Sequence, residues 1–260
     1  MRRTRRSTVA LLALSLLGSP ASMAQAPSAP RASTTATPAA PSQAAPVSDT
    51  LEQRLVACAA CHGANGEGSR RNEYYPRIAG KPANYLYQQL VNFRDGKRGF
   101  PQMVYFVRYL SDSYLQEIAA YYSKLQPGYP TPIKPSATAA QLERGGVLAR
   151  HGDPAKGIPA CSACHGRALS GMQPAIPGLI GLYPDYINSQ IGAWQRGVRH
   201  AAEPDCMAQI ASKLSAVDVA AVSAWLASQP GTPTSLPAPE SKQKLPLACG
   251  SQDAGARRAM

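Results

Sequence analysis

The chain has 260 residues, which suits about two small domains rather than one large core. Its formal charge is +12, from 27 Lys and Arg against 15 Asp and Glu. A basic balance of that size would suit nucleic acid, but the N-terminus reads as an export signal, and export argues against that class.

Residues 1–26 have the layout of a secretory signal peptide. Arg2, Arg3, Arg5 and Arg6 make a charged start, Val9 to Leu17 an apolar run, and Ser22-Met-Ala24 and Ala24-Gln-Ala26 offer small-residue cleavage sites. The run is too short to span a bilayer, although a retained anchor is the alternative reading. No cysteine near the cleavage region offers a lipid site. Loss of the four arginines would leave about +8. Residues 27–48 are almost all Ala, Pro, Ser, Thr and Gln, and bury too little apolar surface to offset the entropy of ordering. They read as a disordered linker, a tether that would hold the folded part near a membrane complex.

Past residue 48 two pentads dominate the chain. Cys58-Ala-Ala-Cys61-His62 and Cys161-Ser-Ala-Cys164-His165 stand 103 residues apart. The C-x-x-C-H pattern is the attachment site of c-type haem. Its two thiols add across the porphyrin vinyl groups, and the histidine after the second cysteine is placed to bind iron. A zinc half-site would need two further ligands, and a thioredoxin-like dithiol would need a strand-rich context that is not evident. The cofactors expected are therefore two covalently bound haem c groups. Cys58, Cys61, Cys161 and Cys164 attach them, and His62 and His165 are iron ligands.

The two halves repeat beyond the pentads at an offset between 101 and 104. Pro76, Ile78 and Gly80 match Pro177, Leu179 and Gly181. Tyr85-Leu86, Gln89-Leu90, Phe93 and Gly96 match Tyr186-Ile187, Gln190-Ile191, Trp194 and Gly197. Met103 with Leu110-Ser111 matches Met207 with Leu214-Ser215. Each half predicts a short helix ending in the pentad, a middle helix and a last helix. Pro82 suits the first turn of the first middle helix and Gly96 its end. Last helices start near Ser111 and Ser215, the second with a Ser215–Asp218 capping-box pattern. A further helix, Ala139–Arg150, opens the second half. Two helical domains are expected at 49–127 and 138–229. A proline-rich linker at 128–137 joins them, and 230–260 forms an extended tail lying loosely on the surface.

The sixth iron ligands are read from the repeat. Met103 lies 41 residues after His62 and Met207 lies 42 after His165, in a chain whose other methionines beyond the signal are Met172 and Met260. One methionine per repeat at matched positions favours ligation over packing, and thioether ligation raises the reduction potential. Met172 is the reserve ligand for the second haem. His151 and His200 have no counterparts in the first half and read as exposed loop residues. Cys206 and Cys249 remain, and an even pair in an exported chain favours a disulfide, with Cys206 as a thiolate ligand or reactive thiol the alternative. Tyr74, Tyr75, Tyr105, Phe106 and Tyr183 are expected around the porphyrins. The carbonyls of Pro76 and Pro177 are placed to fix the ligating imidazoles.

Taken together, the pentads each followed by glycine, the Gly157-Ile-Pro-Ala-Cys161 lead-in and the matched middle-helix and methionine segments resemble the cytochrome c4 family of di-haem class I cytochromes c. The resemblance covers roughly residues 50–229. It implies an all-α chain of two tandem class I cytochrome c domains, each with three to four helices around one attached haem. The two haems would face each other through their propionate edges. It assigns His62 and Met103 to haem one, and His165 and Met207 to haem two. It also implies a periplasmic carrier of single electrons from a respiratory dehydrogenase or quinol-oxidising complex to a terminal oxidase. No catalysis of its own is expected, and the partners are redox proteins, with peripheral membrane association open. The rivals are a di-haem peroxidase or thiosulfate-oxidising cytochrome, and a cytochrome subunit of a dehydrogenase. Three features depart from the pattern: Cys206 beside the expected ligand, Ala216 in place of the acid at Asp112, and the leader and tail extensions.

Overall fold

The computed structural model describes residues 50–69, 72, 74–231, 236–240 and 244–252. The signal peptide, the linker at 27–48 and Met260 lie outside the described residues.

The first half is built from four helices, α1 Leu51–His62, α2 Ala83–Arg94, α3 Pro101–Val107 and α4 Asp112–Lys124. Thr50 caps α1 by accepting from the Gln53 amide, and Gly63 ends it at φ +85°, a conformation that favours glycine. Pro82 stands at the N-cap of α2 rather than inside its first turn, and Gly96 follows the C-cap Asp95 at φ +75°. Ser111 caps α4 through the Tyr114 amide. Leu55, Leu86, Phe93, Leu115, Ile118 and Tyr122 form one continuous core.

The second half repeats the plan with insertions. Its helices are α5 Ala139–Arg150, α6 Cys161–His165, α7 Pro184–Gln195, α8 Cys206–Ala211 and α9 Ala216–Ser228. Where α1 runs unbroken into its pentad, the second copy is cut in two. Gly152, Pro154 and Pro159 stop the helix, and a 3-10 turn at Pro154–Lys156 reaches the five-residue α6. A two-stranded hairpin, β1 Gly171–Met172 with β2 Ile176–Pro177, follows the pentad. Thr138 with Gln141 and Ser215 with Asp218 each form a capping box. Arg144 binds both Asp153 at 2.7 Å and Asp218 at 2.8 Å, and Lys156 binds Asp218 at 2.9 Å, so helix starts and the inserted turn are tied together. Gly145 lets α5 press against Ala221 of α9, where a Cβ would collide with backbone, and Gly146 lies against the Trp225 ring. Leu148, Ile187, Ile191, Val222 and Leu226 centre the second core.

The tail differs from its sequence reading. Ala238 exchanges backbone hydrogen bonds with Gly171 and Gln173. Gln252 accepts from the Ala175 amide at 2.8 Å, and Gln88 donates to the Ser251 carbonyl at 2.9 Å. Cys249 is disulfide-bonded to Cys206. Residues 244–249 alternate, Lys244, Pro246 and Ala248 outward and Leu245, Leu247 and Cys249 toward the body. The segment is a strap, because apolar side chains at every second position give an extended chain a face to bury.

Candidate functional site

In the second half the elements line a mostly apolar cavity that is partly open to solvent. His165, Cys161 and Cys164 line it together with Met207, while Leu245 and Leu247 of the strap supply another part of its wall.

Both pentad histidines are buried and held in the same way. His62 Nδ1 lies 2.8 Å from the Pro76 carbonyl, and His165 Nδ1 lies 2.8 Å from the Pro177 carbonyl. A carbonyl only accepts, so Nδ1 carries the proton and donates, and Nε2 is left with a free lone pair. Burial lowers both imidazole pKa values against a smaller opposite effect of the proline carbonyls, and so keeps the rings neutral as ligands must be. The carbonyls of Pro76 and Pro177 therefore stand where the sequence placed them.

Met207 sits in the first turn of α8, a helix anchored on both sides. Asp205 caps it through the Ala208 amide at 3.0 Å and also accepts from Trp194 Nε1 at 3.2 Å, while the disulfide fixes Cys206. Met103 occupies the matching place in α3 and packs on the core that Cys58 also contacts. Met172 is buried in β1, paired with Ile176. The four pentad cysteines form no disulfide, and burial raises the thiol pKa of Cys58, Cys164 and Cys161, the last to about 11. His151 and His200 are exposed.

Cys206 is half of a disulfide, the reading the sequence favoured, so it is neither a thiolate ligand nor a reactive thiol. Tyr105 stacks edge to face on Phe106, and Tyr74 stacks on Phe100. One reading is corrected: the aromatic side chains on the second cavity are Tyr85, Tyr186 and Trp194 rather than Tyr183, the first reaching across from the other half. These belong to the sequence repeat, which was the available signal.

A cluster of buried cations was missed. Arg98 and Arg199 are 8% and 5% exposed, face each other in an isolated antiparallel bridge, and share their partners reciprocally. Each donates to both Gln89 Oε1 and Gln190 Oε1 at 2.7 to 3.0 Å, and Arg98 also donates to the Tyr186 hydroxyl at 2.9 Å. Burial with the neighbouring Arg98 charge brings Arg199 down to about 10. Lys81 crosses between the halves to donate to the Gly178 carbonyl at 2.8 Å, and burial pushes it down to about 7. None of these three forms an ion pair with a carboxylate among the described residues. Buried cations without anions are costly, and haem propionates are anions of the right kind. A cysteine pair, a neutral imidazole and buried cations at one cavity fit a covalently held haem. The signal was the matched offset of Arg98 and Arg199, each two residues after a helix-ending glycine.

Residues 53–126 match the family model for cytochrome c. The chain is 42% identical over 193 residues to a thiosulfate dehydrogenase electron acceptor of Thiomonas intermedia, covering 74% of this chain and 87% of that one. It is 34% identical to cytochrome c4 of Pseudomonas aeruginosa, covering 67% of this chain and 85% of the relative. Among solved structures, reduced cytochrome c4 from Pseudomonas stutzeri superposes with a TM-score of 0.60 at 28% identity, over 68% of this chain and 95% of that one. The thiosulfate dehydrogenase TsdBA from Marichromatium purpuratum superposes with a TM-score of 0.62 at 32% identity, over 69% of this chain but only 40% of that longer one. With two haem-attachment pentads in two matched helical shells, the chain belongs to the cytochrome c4 family, the di-haem c-type cytochromes that carry electrons.

Proposed function

We propose that this chain works in the periplasm, taking single electrons from a dehydrogenase or quinol-oxidising complex and passing them to a terminal oxidase. A thiosulfate dehydrogenase is the first donor to test, because a relative at 42% identity bears that name. The observation that carries the reading is the pair of neutral histidines, each with Nδ1 held by a proline carbonyl and each matched by one methionine on a short helix. In this reading residues 49–127 and 138–229 are the two haem domains and 128–137 joins them. His62 and Met103 hold one iron, His165 and Met207 the other. The bound haems supply one-electron redox chemistry. The protein holds the ligands, excludes water with its apolar walls and offsets the propionates with Arg98, Arg199 and Lys81.

With Met103 and Met207 as sixth ligands in this reading, the chain is a carrier rather than a di-haem enzyme, which needs an exchangeable position or a cysteine ligand. The disulfide at Cys206 removes the cysteine from that role. A second reading, a cytochrome stably bound to a dehydrogenase, gains from the likeness to a TsdBA chain in which this length is 40% of the whole. Mixing the holoprotein with the Thiomonas intermedia thiosulfate dehydrogenase and thiosulfate should reduce both haems, read in the visible spectrum. No reduction would remove that donor. Rapid carbon monoxide binding to either ferrous haem would overturn the carrier assignment, and co-purification in mild detergent would favour the subunit.

A further inference from the structure

The helix that carries Met103 has two faces of opposite character. Met103 and Val107, one turn apart, point to the core, and Val107 is buried. Tyr105, Arg108 and Tyr109 fall on the other side at i, i+3 and i+4. Tyr105 is 63% exposed and Tyr109 is 85% exposed. The Arg108 guanidinium lies across both rings, 5.0 Å from one centroid and 4.6 Å from the other. Arg108 forms no ion pair among the described residues, and residues 96–110 carry Lys97, Arg98 and Arg108 without one acid.

The repeat supplies an internal control. The positions matching Tyr105, Arg108 and Tyr109 are Gln209, Ser212 and Lys213 on α8, so the second copy has no aromatic side chain there. Lys213 is engaged with the Gly157 carbonyl at 2.8 Å. Glu203 and Asp205 lie just before α8, and the strap lies over the second cavity. Nothing in the first half's packing needs two tyrosines in solvent, whereas exposed Tyr and Arg are the residues that anchor protein contacts.

We infer that Tyr105, Arg108 and Tyr109 form the docking face through which an acidic redox protein exchanges electrons with the first haem. The inference rests on the carrier reading. The charge of the chain, with the flanking acids Asp95 and Asp112 both paired to Arg94, selects a partner with carboxylates surrounding an apolar centre, which long-range attraction steers into place. In the carrier reading Met103 holds the first iron from the same short helix that presents Tyr105.

The test uses the full-length holoprotein and stopped-flow reduction at low ionic strength. Flavodoxin hydroquinone serves as an acidic one-electron donor and durohydroquinone as a small neutral one. Arg108→Glu should slow reduction by flavodoxin about tenfold, as should Tyr105→Ser with Tyr109→Ser, while Lys213→Glu changes it by less than about twofold. Durohydroquinone should reduce all variants alike. Equal slowing by Lys213→Glu and Arg108→Glu would overturn the face, since overall charge alone would then explain the rate. A parallel loss with durohydroquinone would overturn it too, by locating the damage at the haem. Wild type that takes no electrons from either donor would instead sink the carrier reading, and the face with it.

Discussion

A histidine that gives its Nδ1 proton to a carbonyl keeps Nε2 bare, and His62 and His165 both do so on a proline. The proline carbonyls were legible in the sequence because Pro76 and Pro177 repeat at a fixed offset. The buried arginines were not singled out, because a lone basic residue in a basic chain looks like surface. Replacing Met103 or Met207 by alanine should lower the midpoint potential of that haem by on the order of 100 mV and admit cyanide, with the other haem unchanged. Spectroelectrochemical titration would report both midpoints. Lys81 holds the loop whose Pro177 carbonyl fixes His165, and its charge opposes the ferric state nearby. Lys81→Met should therefore lower the second midpoint by tens of millivolts, on the order of a screened charge at that range.

Helices α5 and α9 were legible because their caps and stripes are strong, whereas α3 and α8 were not read as helices. Seven and six residues give too few turns for a periodic signal, and their stability comes from anchors outside them, Asp205 and the disulfide above all. Asp218 shows how much rests on one cap. Burial alone would raise its pKa, but Lys156, Arg144 and Ser215 outweigh that and hold it well below the usual carboxylate range. A depressed carboxylate gives stability that is complete above the unfolded value near 4 and is lost as pH falls toward the folded one. Asp218→Asn should cost about 2–4 kcal/mol at neutral pH and flatten the acid side of the stability curve, measured by denaturant titration. Gly145→Ala should cost about 1–3 kcal/mol, because α5 would have to move off Ala221.

At the scale of the whole molecule, two near-equal copies meet through a reciprocal Arg98–Arg199 bridge, and the strap makes them unequal. The tail read as loose because its Pro- and Ser-rich composition hides a six-residue alternation at 244–249, and its partners are remote in sequence. Cys249→Ser would free a loop closed over a sequence separation of 43, a loss of about 4 kcal/mol on chain-entropy grounds. The second haem would be wetter and its midpoint lower, while the first should stay in place, which one redox titration would show. The strap follows both pentads in the chain, yet it completes the wall around a porphyrin that must be ligated at Cys161 and Cys164. Biogenesis thus acquires an order, with thioether bonds made before Cys206 and Cys249 are oxidised. Cells that oxidise thiols faster than they deliver haem should accumulate a form sealed empty on its C-terminal side, recognisable by mass as a single-haem protein.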